Sequence, residues 1–323
     1  MRQDAPRPGA SAFVAFASPD FRYYAASRFL ATVAVQMQSV AVGFQLYALT
    51  HRPLDLGYVG LAQFLPVFLL SLAAGHAADR FDRRGVLLVC HVVYVACALA
   101  LWFVTRAHEG VLVGVYAALV AIGAARAFYG PAASALMPSI VPAEHFANAA
   151  SWHSSLWQLA AIGGPSVGGL LYGLAGGAGP VYLASAAAFA LAGVLLLFVR
   201  TRTGRMETRA ASIATVFAGL RYVRRARVLL GSISLDFFAV FLGGAVALLP
   251  VFATDVLHVG PLGLGVLRAA PAVGAGAMAL ALAFFPIRSR AGVKMLACVA
   301  VFGAATIVFG LSRSFGLSLA ALV

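Results

Sequence analysis

The stretch Gly75-His-Ala-Ala-Asp-Arg-Phe-Asp-Arg-Arg84 decides how the chain is organised. It is rich in charge and lies between two long apolar runs, at 59–74 and 85–104. A hydrophobic chain keeps such a concentration of charge only where it meets water. We therefore predict a short charged turn between two hydrophobic helices. Taken alone, a positive turn of this kind is compatible with any multispanning membrane protein.

The composition indicates a membrane protein. Hydrophobic residues make up 62% of the chain and charged residues 10%, whereas charged residues are roughly 25% of a soluble globular domain. Several apolar runs exceed the roughly 20 residues that a helix needs to cross a bilayer core. Alternating segments typical of membrane β-barrels are missing from the sequence. The predicted fold class is an all-α polytopic membrane protein, in contact with the lipid bilayer.

The apolar runs predict nine complete spanning helices and the start of a tenth. Residues 1–199 are predicted to form an N-terminal six-helix bundle, residues 200–227 a basic linker, and residues 228–323 part of a second bundle. The predicted helices cover 29–49, 56–77, 85–105, 111–137, 147–174, 180–199, 228–252, 262–286 and 293–312, and the tenth begins near Ser314.

The chain stops inside an apolar run at 319–323. The ten residues from Ser314 would span about 15 Å as a helix, about half of a bilayer core. We therefore expect a C-terminally truncated chain of about nine and a half transmembrane helices. The alternative is a natural protein of that size.

The net charge of +13 is distributed unevenly. Lysines and arginines concentrate in the N-terminal segment and in every second loop, which lie on one side of the predicted membrane. The loops on the other side hold only Arg52, Arg106 and Arg313. Positively charged loops stay in the cytoplasm, so the N-terminus, the turn at 75–84 and the linker are predicted to be cytoplasmic. The same distribution argues against nucleic acid as a partner.

The linker contains apolar residues at helical spacing among its arginines. This pattern predicts an amphipathic helix lying on the cytoplasmic membrane face, although recognition by a calmodulin-like partner is an alternative. The apolar positions are Ile213, Val216, Phe217, Leu220 and Val223.

The spacing Gly-x3-Asp-Arg-x2-Arg-Arg in the opening stretch resembles the helix 2–3 signature of the major facilitator superfamily, Gly-x3-Asp-Arg-x-Gly-Arg-Arg/Lys. Asp82 stands where that signature has glycine. The resemblance implies a fold of two six-helix bundles with a cytoplasmic gate. In that gate Asp79 would face helix 11, and Glu144 is the nearest acidic candidate to meet Arg83 or Arg84. The gate residues so implied are Gly75, Asp79, Arg80, Arg83, Arg84 and Glu144.

Predicted helix 5 contains the segment 163–169, Gly-Gly-Pro-Ser-Val-Gly-Gly. Its proline removes one helical hydrogen bond and bends the helix, and its glycines let a neighbouring helix approach closely. The alternative is ordinary small-residue packing. The segment resembles the Gly-Pro-x-x-Gly-Gly motif of the superfamily's proton-coupled exporters, which implies a pivot formed by Gly164, Pro165, Gly168 and Gly169.

Among the ionisable residues inside predicted helices, two are candidates for proton coupling. Such residues are costly in a membrane and usually face a cavity or a partner. Arg126 in helix 4 would hold an anionic substrate or a carboxylate, or else snorkel toward the cytoplasm. Asp236, about 12 Å into helix 7, lies where low-dielectric surroundings favour the protonated form of a carboxyl group. The alternative for Asp236 is a structural pairing with a cytoplasmic arginine.

The superfamily resemblance implies a central cavity lined by helices 1, 4, 7 and 10. Gln38 and Gln45 are seven residues apart and share one face of helix 1. A partly aromatic, partly polar lining with a positive group would suit a planar anionic or catecholate ligand. The cavity residues so predicted are Gln38, Gln45, Tyr129, His153, Trp157 and Phe237.

Nearly the whole chain resembles one branch of the superfamily. Residues 59–84, 126–131, 219–225, 235–240, 247–252 and 267–274 are similar to the enterobactin-exporter-like branch. This resemblance implies a monomer that exports a siderophore or similar small-molecule substrate, driven by protons, across the bacterial inner membrane. A broad-range multidrug exporter and a non-transporting membrane fragment are the alternatives.

A membrane-embedded enzyme is poorly supported. The sequence contains neither His-Glu-x-x-His nor the nucleotide-binding pattern Gly-x4-Gly-Lys-Ser/Thr. Its histidines are scattered, without a pair at i and i+4. We therefore expect no metal, no cofactor and no direct use of ATP.

Overall fold

The computed structural model describes residues 13–107, 110–200, 226–242, 244–284 and 291–323, and these residues form helices without any strand. The apolar positions of the predicted linker helix, at 213–223, lie outside the described residues. The long α-helices are α1 Pro19–Thr50, α2 Pro53–Arg80, α3 Arg83–Arg106, α4 Val111–Ile140, α5 Phe146–Leu174, α6 Ala178–Leu197, α7 Arg227–Leu242, α8 Gly260–Phe284, α9 Ala291–Leu311 and α10 Phe315–Leu322.

Helix α1 begins earlier than predicted. The helix starts at Pro19 because a proline lacks the N–H that the first helical turn leaves unpaired. The additional turns are part of the core, since the buried Tyr24 hydroxyl donates to the carbonyl of Ala133 at 2.9 Å. The placement of Arg28 before the first helix was wrong: it lies within α1, with its guanidinium carbon 4.9 Å from the ring centroid of Tyr129.

The turn between α2 and α3 is shorter than predicted, because only Phe81 and Asp82 lie outside the two helices. Asp82 is the N-cap of α3, and its carboxylate accepts a hydrogen bond from the backbone N–H of Gly85 at 2.9 Å. Aspartate is among the best N-cap residues, since its side chain satisfies an otherwise unpaired N–H. The departure from the family signature therefore has a structural role.

The prediction of one continuous helix at 228–252 was wrong. Helix α7 ends at Leu242, and the chain continues through 3₁₀ (Gly244–Leu248), α (Leu249–Val251) and π (Phe252–Val256) turns. We call residues 244–256 the irregular segment. The glycine pair at 243–244 and Pro250 explain the interruption, since glycine weakens a helix and proline removes a hydrogen bond.

Helices α1 to α6 pack as one bundle, in which α1 lies along α5 and α6, α2 along α4, and α3 along α4 and α6. Its core includes the fully buried Tyr182 and Phe189 of α6. The Ser27 hydroxyl joins α1 to α6 by donating to the Ala192 carbonyl at 2.7 Å. Helix α8 packs along α5 and so connects the bundle to the second part of the chain.

Seven of the described helices, α1 to α4, α6, α8 and α9, are long and apolar enough to cross a membrane. Helix α5 is outside this set, because its glycines and polar side chains lower its hydropathy. Its long sides are covered instead by α1 and α8. Helix α2 exposes large apolar side chains such as Leu69 and Leu72, which suit contact with lipid. The predicted all-α multispanning fold class is confirmed.

Candidate substrate cavity

A cavity of about 540 Å³ lies between the first bundle and α8. Cavities that hold small molecules have volumes of roughly 300–1,000 Å³. The walls come from α1, α2, α4, α8 and the irregular segment. We call this the interbundle cavity. Its lining consists of Gln36, Ser39, Gly43, Leu56, Val59, Gly60, Gln63, Phe64, Val67, Arg126, Ala247, Pro250 and Arg268.

Arg268 projects from α8 to α1 across this cavity. Its guanidinium donates to the Ser39 hydroxyl at 2.5 Å and to the Ser39 carbonyl at 3.3 Å. A Cβ atom at Gly43 would lie 3.7 Å from the guanidinium, in ordinary van der Waals contact. No role for Arg268 was predicted from the sequence. The available signal was its position inside an apolar helix, the same signal that singled out Arg126.

Arg126 is exposed at the wall of the interbundle cavity. Its position follows from the tight packing of α4 on α2, one turn before Arg126. A Cβ atom at Gly123 would lie 2.5 Å from the carbonyl oxygen of Gln63, so only glycine fits there. The structure therefore brings Arg126, Gln63 and Arg268 to one cavity from three helices.

Gln38 and Gln45 have different surroundings, although they share a helix face. Gln38 lines a side cavity of about 60 Å³ that shares Gln36, Ser39, Gln63 and Arg126 with the interbundle cavity. Gln45 accepts from the Tyr182 hydroxyl at 2.6 Å and donates to Thr105 at 3.0 Å, between α1, α3 and α6. The placement of Gln45 at a central cavity was therefore wrong, and it belongs to the core of the first bundle.

The other predicted lining residues do not meet at the interbundle cavity. Tyr129 packs beside Arg28 inside the first bundle, 5.6 Å from the His91 ring. His153 is half-buried, and Trp157, also on α5, is exposed. Phe237 lies on α7, where its ring contacts Phe238. The structure thus separates these four residues.

The glycines of segment 163–169 allow α5 to touch α1 and α8. A Cβ atom at Gly164 would lie 2.6 Å from Gln36 Cβ, and one at Gly168 would lie 2.7 Å from the Cα of Met37 on α1. A Cβ at Gly169 would lie 2.6 Å from the Pro261 carbonyl oxygen on α8. The helix spans both sides of Pro165 without a break. The structure shows the close packing, and the pivot remains a prediction.

The same segment contains Gly-x-Ser-x-Gly, the pattern around the nucleophile of many serine hydrolases. That pattern requires a sharp turn between a strand and a helix. Ser166 instead lies within α5 and donates to the Ile162 carbonyl one turn earlier, at 3.2 Å. Ser166 therefore lies inside a continuous helix and not at a turn between a strand and a helix.

The expected contact of Glu144 with Arg83 or Arg84 was wrong. Glu144 lies 3.6 Å from the His145 ring nitrogen, whereas Arg83 donates to the Ala135 carbonyl at 3.0 Å and Arg84 to the Leu197 carbonyl. Leu197 is the last residue of α6, and carbonyls at a helix C-terminus lack helical partners and attract cations. Ala135 lies further inside α4, five residues before its end. The two arginines therefore tie α3 to α4 and to the end of α6.

The remaining residues of the gate signature lie at the end of α2. A Cβ atom at Gly75 would have no described neighbour within 4 Å. Arg80 is exposed and is the last residue of the helix. The side chain of Asp79 lies outside the described atoms. The gating role of these residues remains a prediction.

Asp236 is exposed on α7 and is not part of the interbundle lining. Asp236 is the only carboxylate within the predicted helices, but a second carboxylate lies in helical surroundings. Asp255 lies in the π turn and accepts a hydrogen bond from the Tyr47 hydroxyl of α1. This contact between the two parts of the chain was not predicted, because predicted helix 7 ended at residue 252.

Comparison with known proteins places this fold and cavity among transporters. The chain is 31% identical over 265 residues to the multidrug efflux pump Tap of Mycobacterium bovis and Mycobacterium tuberculosis, covering 77% of this chain and 62% of Tap. It therefore spans less than two thirds of that relative. Macrolide efflux protein A of Streptococcus pyogenes is 29% identical over 133 residues, covering 41% of this chain and 33% of that protein.

The structure resembles the inward-facing, unoccupied crystal structure of a bacterial homologue of the human lysosomal transporter Spinster. The TM-score is 0.67 at 16% identity, over 94% of this chain and 71% of that chain. This likeness supports the major facilitator fold. The profile of the family described as "Transmembrane secretion effector" matches residues 10–323. The chain thus belongs to the transmembrane secretion effector family of major facilitator superfamily transporters.

Proposed function

We propose that this protein exports small organic molecules across the inner membrane of a bacterium, as a monomer driven by inward proton flow. In this proposal the chain forms a first bundle at 1–199 and a second bundle that begins at 228. The N-terminus and the 200–227 linker that joins the two bundles lie in the cytoplasm. One observation carries the proposal. The interbundle cavity gathers two arginines and three neutral polar side chains within otherwise apolar helices, and such groups in a membrane mark a substrate path.

The contacts between the two parts of the chain support an alternating-access motion. Tyr47 meets Asp255, and a Cβ atom at Gly43 would lie 3.3 Å from Pro250. Both contacts join the C-terminal half of α1, which the charge distribution assigns to the outer side, to the irregular segment. In the proposed cycle, these contacts close the cavity toward the outside, and the cavity opens there when they separate.

Multidrug efflux is the substrate range that the relatives favour, since Tap and macrolide efflux protein A are both named for drug efflux. Export of a siderophore is the second candidate. It is supported by the two arginines at the cavity, because catecholate and carboxylate siderophores are anionic. The resemblance to the enterobactin-exporter-like branch is consistent with this second candidate.

The test of the function is uphill transport in proteoliposomes with an imposed pH gradient. Purified protein should concentrate a fluorescent drug only while the gradient persists, and a protonophore should abolish the accumulation. Accumulation that is unaffected by the protonophore would contradict proton coupling.

Comparing transport by the Asp236→Asn and Asp255→Asn variants identifies the group that carries the proton. We propose Asp236 as carrier and Arg126 as its cationic counterpart. Asp236→Asn should abolish uphill accumulation and largely spare drug binding, because only the titratable proton is lost. Asp255→Asn is the matched variant: its amide oxygen can still accept the hydrogen bond from the Tyr47 hydroxyl, so this variant should retain uphill accumulation. The reverse result would assign the proton to Asp255.

A further inference from the structure

Among the residues that the structure describes, nothing compensates the positive charge of the interbundle cavity. Arg126 and Arg268 both line it, and no carboxylate is among its lining residues. The carboxylates whose side chains are described all lie elsewhere. Asp20 accepts from the backbone N–H of Arg200, Asp55 is in the first turn of α2, Asp82 caps α3, Glu144 meets His145, Asp236 is exposed on α7, and Asp255 meets Tyr47.

The contacts of Arg268 leave much of its hydrogen-bonding capacity unused. A guanidinium has five N–H donors, and within the described residues this one donates only to the hydroxyl and carbonyl oxygens of Ser39. Both acceptors are neutral. A cation withdrawn from water without a counter-charge is destabilising, so a ligand that supplies an anion would relieve this cost.

A second observation at the same place concerns Gln38. This residue is 5% exposed and lines the side cavity next to Arg126, and its amide nitrogen has no hydrogen-bond partner in the described part of the chain. Buried donors without partners are rare in folded proteins. The side cavity and the interbundle cavity share Gln36, Ser39, Gln63 and Arg126. An unpaired amide donor therefore lies beside two guanidinium groups that have unused N–H donors.

The rest of the lining is apolar. Leu56, Val59, Phe64 and Val67 form the wall on the α2 side, and Ala247 and Pro250 form the wall on the irregular segment. A drug-sized molecule fits a volume of about 540 Å³. The arrangement thus combines a cationic, donor-rich end with an apolar wall.

From this arrangement we infer that Arg126 and Arg268 together bind the anionic group of an amphipathic molecule whose apolar body packs against α2. The inference rests on the proposed export function and names its substrate class: lipophilic compounds with a carboxylate, sulfonate or phosphate. Permanently cationic compounds are disfavoured, because they would meet two like charges in a site of low dielectric.

The test is a binding measurement with two probes that differ by one charged group. The anionic probe is 8-anilinonaphthalene-1-sulfonate, and the neutral one is N-phenyl-1-naphthylamine, which lacks the sulfonate. Both are titrated by fluorescence into the purified 323-residue protein in neutral detergent, with the micelle signal subtracted. The sulfonate should bind saturably, and added salt should weaken its binding.

Four variants identify the groups responsible. Arg126→Gln and Arg268→Gln should each weaken sulfonate binding by about 10- to 100-fold, the usual worth of a charge-assisted contact. Neutral-probe binding should stay within about twofold, which also shows that the variants fold. Arg268→Lys keeps the charge and should restore part of the affinity. Arg313→Gln, which removes an exposed arginine outside the cavity, is the matched control and should bind both probes normally.

Three results would overturn the inference: no saturable sulfonate binding by the unaltered protein, an equal loss of both probes in the cavity variants, or the same loss in Arg313→Gln. The export proposal is judged separately by proteoliposome transport. Sulfonate binding without uphill transport would refute export and leave the anion site intact. Uphill transport without discrimination between the probes would refute the anion site alone.

Discussion

The contact of α5 with α8 offers a sharp test of the structure through Gly169→Ala. The added methyl carbon would lie 2.6 Å from the Pro261 carbonyl oxygen and 2.9 Å from the Gly265 Cα atom. Both neighbours are backbone atoms of α8 and cannot rotate away. Since non-bonded carbon atoms prefer separations of about 3.5–4.0 Å, the two helices must move apart by roughly 1 Å.

The expected cost follows from this displacement. Overpacking of a close interface costs about 1–3 kcal/mol, whereas replacing glycine by alanine in a helix contributes up to about 1 kcal/mol of stability. Gly169→Ala should therefore be destabilising on balance. Gly163→Ala is the matched control, because a Cβ atom there has no neighbour within 4 Å, and it should be neutral or slightly stabilising.

The assay measures the apparent melting temperature of the purified protein in a neutral detergent. Unfolding is followed by tryptophan fluorescence, or by the decrease of the monodisperse peak in size-exclusion chromatography after heating. We expect Gly169→Ala to melt at a lower temperature than Gly163→Ala, and Gly265→Ala to behave like Gly169→Ala. A melting temperature for Gly169→Ala equal to or above that of Gly163→Ala would show that α5 and α8 do not pack as described.

Three further predictions concern the turns and the outer contact. Tyr47→Phe should lower stability by about 0.5–1.5 kcal/mol, and the double variant with Asp255→Asn should be no less stable than the worse single variant; additive losses would refute the contact. Asp82→Ala should lower the free energy of unfolding by about 1 kcal/mol and Asp82→Asn by much less, because asparagine is also a good N-cap. An equal loss of stability in both variants would argue against the N-cap. In a background without native cysteines, Arg52→Cys should react with impermeant thiol reagents in intact cells and Phe81→Cys should not; the opposite pattern would invert the topology.

The sequence determined the fold class and most of the helix limits. Long apolar runs must be helical in a bilayer, because no water is present to satisfy the backbone. Glycine also predicted one local feature correctly, since the close approach of α5 at 163–169 follows from the missing side chains. Errors occurred where tertiary contacts extend or interrupt a helix, as in the first turns of α1 and at the glycine pair after α7.

Which polar side chains form the candidate site was decided by the tertiary structure. Gln38 and Gln45 are two turns apart on one helix face, yet Gln38 lies at the side cavity and Gln45 in the bundle core. Arg268 and Arg126 are far apart in sequence and meet at the cavity only because α8 packs on α5 and α4 packs on α2. Hydrophobic periodicity defines a helix and its polar face, but the neighbour that covers each turn of that face depends on contacts between distant segments, which local pattern does not encode.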